Sequence, residues 1–363
     1  MKRVQSVDFL RGFTVVLMIL VNTPGDWNHV YSLLLHADWN GLTLADFVFP
    51  FFLFIVGISI SFVYKNKKGK ANASVYRKIF IRSFKLILLG LFLNVFLPYF
   101  PFIKIESMRI PGVLQRIGIV FCIVSILYLN LHKKQLLYIS FFILLGYWIW
   151  LAYIPLPNGN LPTLDRGVNN WANYVDFLLL KGNIWQPDYD PEGILSTLPS
   201  IVTVLIGVFV GEILVSKIKQ KLILLTIISM CLLVTGYVWD VFFPINKALW
   251  SSSFVLVTSG YATLFLVIFH YLMDDREYDF GNLFKYVGAN AIVIYFLSMV
   301  FARSLYLIKI NSQTSIHQFL FETFFVYKGI AMPLSSLFYA LIVVGFYILL
   351  AYFLYKRKIF IKV

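Results

Sequence analysis

The sequence predicts an all-α, polytopic membrane protein of about ten transmembrane helices, with both termini cytoplasmic. Three observations carry this. Hydrophobic residues make up 60% of the chain and charged residues only 13%, where a soluble domain carries about 25% charged residues. The apolar residues fall in long runs, such as Val48–Val63, Ile194–Val215 and Leu337–Tyr355, and about 20 such residues cross a bilayer. The basic residues concentrate on alternate loops. Backbone in hydrocarbon must close its own hydrogen bonds, so the runs are read as helices.

Spans are expected at roughly 8–23, 44–64, 80–98, 111–130, 136–154, 193–216, 221–240, 251–272, 284–308 and 331–355. The first follows a basic head and resembles a signal peptide, but no small-residue cleavage site precedes Pro24-Gly25, so it is read as a retained helix. The second opens on Thr43 and Asp46, the two members of a capping box. Between the second and third, Lys65–Lys78 is a basic linker suited to anionic lipid. The fourth begins at Pro111-Gly112 and carries Gln115 and Arg116 in its first turns.

Cys122 and Cys231 fall inside spans, outside any disulfide framework. The longest hydrophilic stretch, Pro155–Glu192, holds Trp171, Tyr174, Trp185 and Tyr189, which points to a folded cap on a single domain. Asp190 and Pro191 have the character of an N-cap and first helical residue for the sixth span. Glu192, Ser196, Thr197 and Ser200 then form a polar stripe, explained by interhelical hydrogen bonds or by a passage. The ninth span holds two polar residues without assigned partners, Asn290 and Arg303.

The net charge is +14, and its placement decides its meaning. Loops on the amino-terminal side hold Lys2, Arg3, Lys65, Lys67, Lys68, Lys70, Arg77, Lys78, Arg82, Lys133, Lys134, Lys217, Lys219, Lys221, Arg276, Lys285, Lys356, Arg357, Lys358 and Lys362, twenty of the 31 basic residues. The opposite loops hold seven: Lys104, Arg109, Arg166, Lys181, Lys247, Lys309 and Lys328. This is a positive-inside signal and not a nucleic-acid footprint. The outer loops carry more acids than bases, including Asp26, Asp38, Glu106, Asp165, Asp176, Asp188, Asp190, Glu192, Asp240 and Glu322. An acidic outer face suits a cationic ligand such as an amine.

Polar groups in lipid are costly and need a reason. The richest cluster runs from Asn22 and Asp26 through His36, Trp39, Asn40 and Thr43 to Asp46. His36 is the candidate for proton transfer, because imidazole alone changes charge near neutral pH. Asp46 can be both a cap and the group that orients the imidazole. His132 and His270 sit at inner helix ends, and His29 and His317 lie in outer loops without comparable polar company. Asp8 and Arg11 share a helix face, as an internal pair or as a contact for an anion from the cytoplasm. There is no P-loop, dinucleotide-binding glycine pattern, nucleophile elbow or zinc-ligand spacing, and no metal is expected. The residues alone admit an enzyme or a transporter.

The segment His36-Ala-Asp-Trp-Asn-Gly-Leu-Thr-Leu-Ala-Asp-Phe-Val-Phe-Pro50 resembles the signature of the heparan-α-glucosaminide N-acetyltransferases and their bacterial relatives. Ser6–Gly12, Arg109–Arg116 and Asp190–Thr197 match the same family in the same order, and Gly288-Ala-Asn290 is similar. The sequence departs from the lysosomal enzyme in opening directly at the membrane domain, which favours a bacterial amino sugar over heparan sulfate as acceptor. The resemblance implies transfer of acetyl from cytosolic acetyl-CoA to a terminal glucosamine amine across the membrane, here the bacterial inner membrane, with a homodimer plausible by analogy. It places the active-site histidine on His36 and the asparagine of the preceding helix on Asn22. On this reading Asn22 or Asn40 donates to the oxyanion. Arg11, Arg82 and Lys85, with Gln115 and Arg116, contact the cofactor. Asp26, Trp39, Glu192 and Asn290 face the sugar. A permease for an amino sugar, or an O-acyltransferase of an envelope glycan, would fit the same features.

Overall fold

In the computed structural model, which describes residues 4–105, 108–180 and 183–361, the described residues form helices and no strand. Lys2, Arg3, Glu106, Lys181 and Lys362 lie outside the described residues. The helices are α1 (Gln5–Asn22), α2 (Leu44–Tyr64), α3 (Ala73–Val95), α4 (Val113–Asn130), α5 (Lys133–Tyr153), α6 (Trp171–Leu180), α7 (Thr197–Leu214), α8 (Lys221–Asp240), α9 (Ser252–His270), α10 (Asn282–Ala289), α11 (Ala291–Leu307), α12 (Ile316–Phe324) and α13 (Met332–Lys356).

Among the described residues, eight helices are long and apolar enough to cross a bilayer: α1, α2, α4, α5, α7, α8, α9 and α13. The expected span 284–308 is instead broken into α10 and α11, bent by 84°. The break falls at Asn290, whose Nδ2 donates to Ile359 O at 2.9 Å and whose Oδ1 accepts from Ile361 N at 3.0 Å. α3 carries Arg77, Lys78, Arg82 and Lys85 and is too charged to be recognised by composition. It nevertheless runs the length of α4, from the Tyr76–Asn130 hydrogen bond at one end to Asn94 Nδ2–Pro111 O at the other, each 3.0 Å. Among the described residues, eight spans, nine if the bent pair is one, thus stand together with α3, against about ten expected from the sequence. The third starts earlier than expected, at Ala73, and the sixth later, at Thr197.

α1, α2, α4, α7 and α9 form the centre, and α5, α8 and α13 the rim. Rim side chains such as Phe142, Val234 and Ile342 are exposed, a surface matched to lipid. The centre is tightly packed through glycine. A Cβ on Gly57 would lie 2.0 Å from Val204 O, and one on Gly207 2.0 Å from Phe54 O, so α2 and α7 meet backbone to backbone. Small residues permit this approach, from which membrane helices gain their packing energy.

The first and last described residues lie at one end of the bundle. There the Asp274 carboxylate accepts from Gln5 N and Ser6 N at 2.8 and 3.0 Å, and the carboxyl-terminal segment is tied to Asn290. The other end gathers the loop 23–43, the segment 154–196 and the loop 241–251. The 154–196 segment is structured, with Trp171 Nε1 donating to Ile154 O at 2.7 Å and Leu156, Trp171 and Ala172 packing on Tyr147, Leu151, Phe243 and Leu249.

Candidate active site

The site is built where the loop after α1 turns into α2. Asp46 sits in the first turn of α2, 1% exposed, and uses both oxygens. Oδ2 accepts from Thr43 N at 3.0 Å and Ala37 N at 3.1 Å, while Oδ1 accepts from His36 Nδ1 at 2.8 Å. Thr43 Oγ1 lies 2.6 Å from Leu35 O and pins the loop from its other side. A helix amino terminus supplies donors that favour a carboxylate there, and the same carboxylate fixes the imidazole. Held through Nδ1–H, the ring presents Nε2 as a base, and half of the side chain remains accessible.

A second loop, between α8 and α9, closes on the first. Gly41 N donates to Ile245 O at 2.8 Å, and Asn246 Nδ2 to Asn40 Oδ1 at 3.0 Å. This loop is itself rigidly tied: Asp240 accepts from Ile245 N, Asn246 N donates to Ser251 Oγ, and Leu249 N to Asn246 Oδ1. Trp250 is buried with φ of +50°, a conformation that costs on the order of 1–3 kcal/mol for such a residue. Its indole nitrogen donates to Thr203 Oγ1 at 3.1 Å. The loop delivers Lys247, whose Nζ lies 3.0 Å from His36 Nδ1, 3.1 Å from Nε2 and 3.6 Å from Asp46 Oδ1. In the sequence Lys247 registers only as one charge among the outer loops. Its separation of 211 residues from His36 hides the contact, and the one local cue is a lone lysine in a short break between two apolar runs.

Behind this pair lies an ion network. The Arg109 fork donates to Asp190 at 2.8 and 2.5 Å and also reaches Glu192. Asp190 further accepts from Trp185 N and Glu192 N, both at 2.9 Å. Asp190 is thus not the N-cap expected of the sixth span, because α7 starts only at Thr197 and the carboxylate is claimed by Arg109. Burial raises the affinity of Glu192 for a proton, but Arg109, Arg116 and Lys247 outweigh it and hold its carboxyl below the ordinary range. Asp176, on α6, is pushed up to about 6 by burial, with Asp190 adding to the shift and the Ile194 N–H opposing it.

Arg116 and Gln115 lie at this same end, not with the other residues expected to contact the cofactor. Arg116 is fully buried, donates to Gly193 O at 2.9 Å and Ser196 Oγ at 2.5 Å, and stacks over Trp250 at 5.2 Å. Gln115 Nε2 donates to Ile110 O at 3.1 Å and closes the turn into α4. The polar stripe is spent on neighbouring groups: Thr197 Oγ1 on Gly193 O and Ser200 Oγ on Thr197 O, with Ser196 on Arg116. Trp39 Nε1 donates to Leu164 O at 2.9 Å and its ring meets Tyr189 edge-on at 5.2 Å, joining the His36 loop to the 154–196 segment.

Six other expected residues make no hydrogen bond to the His36–Asp46 pair among the described residues. Asp26 accepts from His29 Nδ1 at 2.6 Å, and its backbone bonds to Ser336 at the start of α13. His29 therefore has polar company after all. Buried His317 also has a partner, its Nε2 lying 3.2 Å from Pro24 O. Asn290 is at the opposite end: Ser336 begins α13 near Asp26 while Ile359 follows its end near Asn290, and 25 helical residues span about 37 Å. Its side-chain oxygen and nitrogen both hold the carboxyl-terminal segment, so it does not join the sugar-facing set. Asn22 ends α1 without a hydrogen bond to His36 or Asp46. Arg11 pairs with Asp8 at 2.9 Å and with Ser59 Oγ at 3.2 Å. Arg82 stacks over Phe121 at 4.8 Å, within electrostatic range of Arg11, and its Nε is buried without a partner among the described residues. Lys85 is exposed on α3.

Residues 3–239 match the family model described as heparan-alpha-glucosaminide N-acetyltransferase, catalytic. The chain is 31% identical to the heparan-alpha-glucosaminide N-acetyltransferases of Homo sapiens and Mus musculus, over 99% of its own length and 60% of each of theirs. It thus spans less than two thirds of these relatives. With 237 of 363 residues inside the family model, the chain belongs to the heparan-alpha-glucosaminide N-acetyltransferase catalytic family.

Proposed function

We propose that the chain transfers an acetyl group from acetyl-CoA, held on the side of its termini, to the amine of a glucosamine-type sugar on the side of His36. The observation that carries this reading is the half-exposed His36 imidazole fixed by Asp46 through Nδ1. An amine attacks a thioester only when deprotonated, and an imidazole oriented by a carboxylate takes up the proton at its other nitrogen. The C–N bond forms, the proton passes to His36 Nε2, the C–S bond breaks, and His36 returns the proton to the departing CoA sulfur. The transfer is direct, within a complex of both substrates.

The basic loops favour the cytoplasm for the terminal end, in a multi-pass inner membrane, and put acetyl-CoA there. Arg11 and Arg82, with Lys85 nearby on α3, supply positive charge for the nucleotide phosphates. Arg11 precedes Asn22 by eleven helical residues, roughly 16 Å, a depth that the pantetheine arm covers. Trp39 and Glu192 border the sugar side, Asn40 lies in the loop that carries His36, and Asn22 directly precedes that loop.

Proteoliposomes test this reading. With acetyl-CoA supplied to the terminal side and glucosamine to the other, N-acetylglucosamine should appear where glucosamine was added, with matching release of CoA. Movement of unmodified glucosamine without thioester consumption would identify a permease instead. Acetylation of a sugar hydroxyl in preference to the amine would identify an O-acyltransferase.

A further inference from the structure

We infer that Lys247 is a catalytic residue of this site, its ammonium balancing the negative charge that develops on the acyl oxygen. This rests on the acetyltransferase reading above and assigns the oxyanion-stabilising role to a residue outside the matched family segment, which ends at 239.

The geometry supports it in three ways. Lys247 Nζ lies 3.0 Å from His36 Nδ1 and 3.1 Å from Nε2, a near-equal pair that only a position over the ring face allows, so with Nδ1 bonded to Asp46 the in-plane lone pair of Nε2 stays open. Nε2 is the nitrogen that must receive the amine proton, so the base and the ammonium are available side by side. The acyl carbon bonds simultaneously to the attacking nitrogen and the oxyanion, and a base and an oxyanion donor must therefore stand about 3 Å from adjacent atoms. Lys247 Nζ, already beside both ring nitrogens, needs only a rotation of its flexible stem to reach that oxygen.

The other candidates are less directly placed: Asn40 is turned by its Oδ1 toward Asn246 Nδ2, and Asn22 makes no hydrogen bond to His36 or Asp46 among the described residues. Lys247 is held where charge matters: burial lowers its proton affinity on balance, and Asp46 and Glu192 offset part of that loss. A loop fixed by five internal and inter-loop bonds and a left-handed Trp250 is more than a topology charge requires.

The test uses purified full-length protein with acetyl-CoA and glucosamine. Lys247→Met should lower kcat by about 10²–10³-fold, with either KM changed less than about threefold. Lys247→Cys, in a Cys122→Ala, Cys231→Ala background, should be equally slow and regain most of its rate after aminoethylation, which rebuilds the ammonium on the same folded molecule. A Lys247→Met enzyme within about threefold of wild-type kcat, or a folded Lys247→Cys protein that aminoethylation leaves inactive, would overturn the inference while leaving the acetyltransferase intact. Wild-type protein that releases no CoA with glucosamine would overturn both.

Discussion

One carboxylate of Asp46 performs two tasks at once: Oδ2 closes the first turn of α2, and Oδ1 holds His36 Nδ1 at 2.8 Å. The cap makes the imidazole's partner part of the helix itself, so the base inherits the rigidity of the bundle. Asp46→Asn separates the tasks. The amide oxygen can still accept from Thr43 and Ala37, but the group facing His36 becomes a donor and forces the wrong tautomer. We expect kcat to fall about 10²–10⁴-fold with little change in thermal unfolding, read from initial rates and melting of the same preparation.

Arg109 neutralises two buried carboxylates. Arg109→Met removes the guanidinium bonded to both Asp190 and Glu192 and should cost about 3–5 kcal/mol, measured as a fall in the unfolding midpoint in detergent. Arg109→Lys should recover only part of the loss, because a point charge cannot replace the two-pronged contact with Asp190.

Asp176 carries a pH signature. Its folded value of about 6 stands above the 3.8 of the free side chain, so the native state prefers the protonated acid. The associated stability is fully present below about pH 4 and is lost as pH rises through about 6. Asp176→Asn removes this loss and should gain up to about 3 kcal/mol over the wild type between these limits. Paired unfolding curves across pH 4–7 read the difference.

Arg82 has a guanidinium nitrogen without a partner among the described residues, at the depth where the nucleotide is placed. Arg82→Met should weaken acetyl-CoA binding about tenfold or more, the worth of one charged hydrogen bond, as read by calorimetry. Unchanged affinity would move the nucleotide away from this arginine.

The sequence made visible whatever is local or periodic. The apolar segments, the capping box and the candidate base lie within single stretches, and His36 and Asp46 are only ten residues apart. Contacts between distant segments were hidden. Lys247 reads as one loop charge until two loops 200 residues apart are brought together. Asn290 drew attention as a polar residue in an apolar run, but a bent helix needs its freed groups bonded, and the carboxyl-terminal segment does this. Asp190 has the residue type of a cap, yet a nearby guanidinium competes successfully for its oxygens. Gln115 and Arg116 were grouped with the cofactor contacts by chemistry, although α4 starts at the opposite end from Arg11.

The most direct measurement is the rate of N-acetylglucosamine formation by His36→Ala, at saturating acetyl-CoA and glucosamine, on protein with wild-type melting behaviour. The account predicts loss of activity to the uncatalysed background with acetyl-CoA binding retained. A folded His36→Ala protein turning over at the wild-type rate would contradict it.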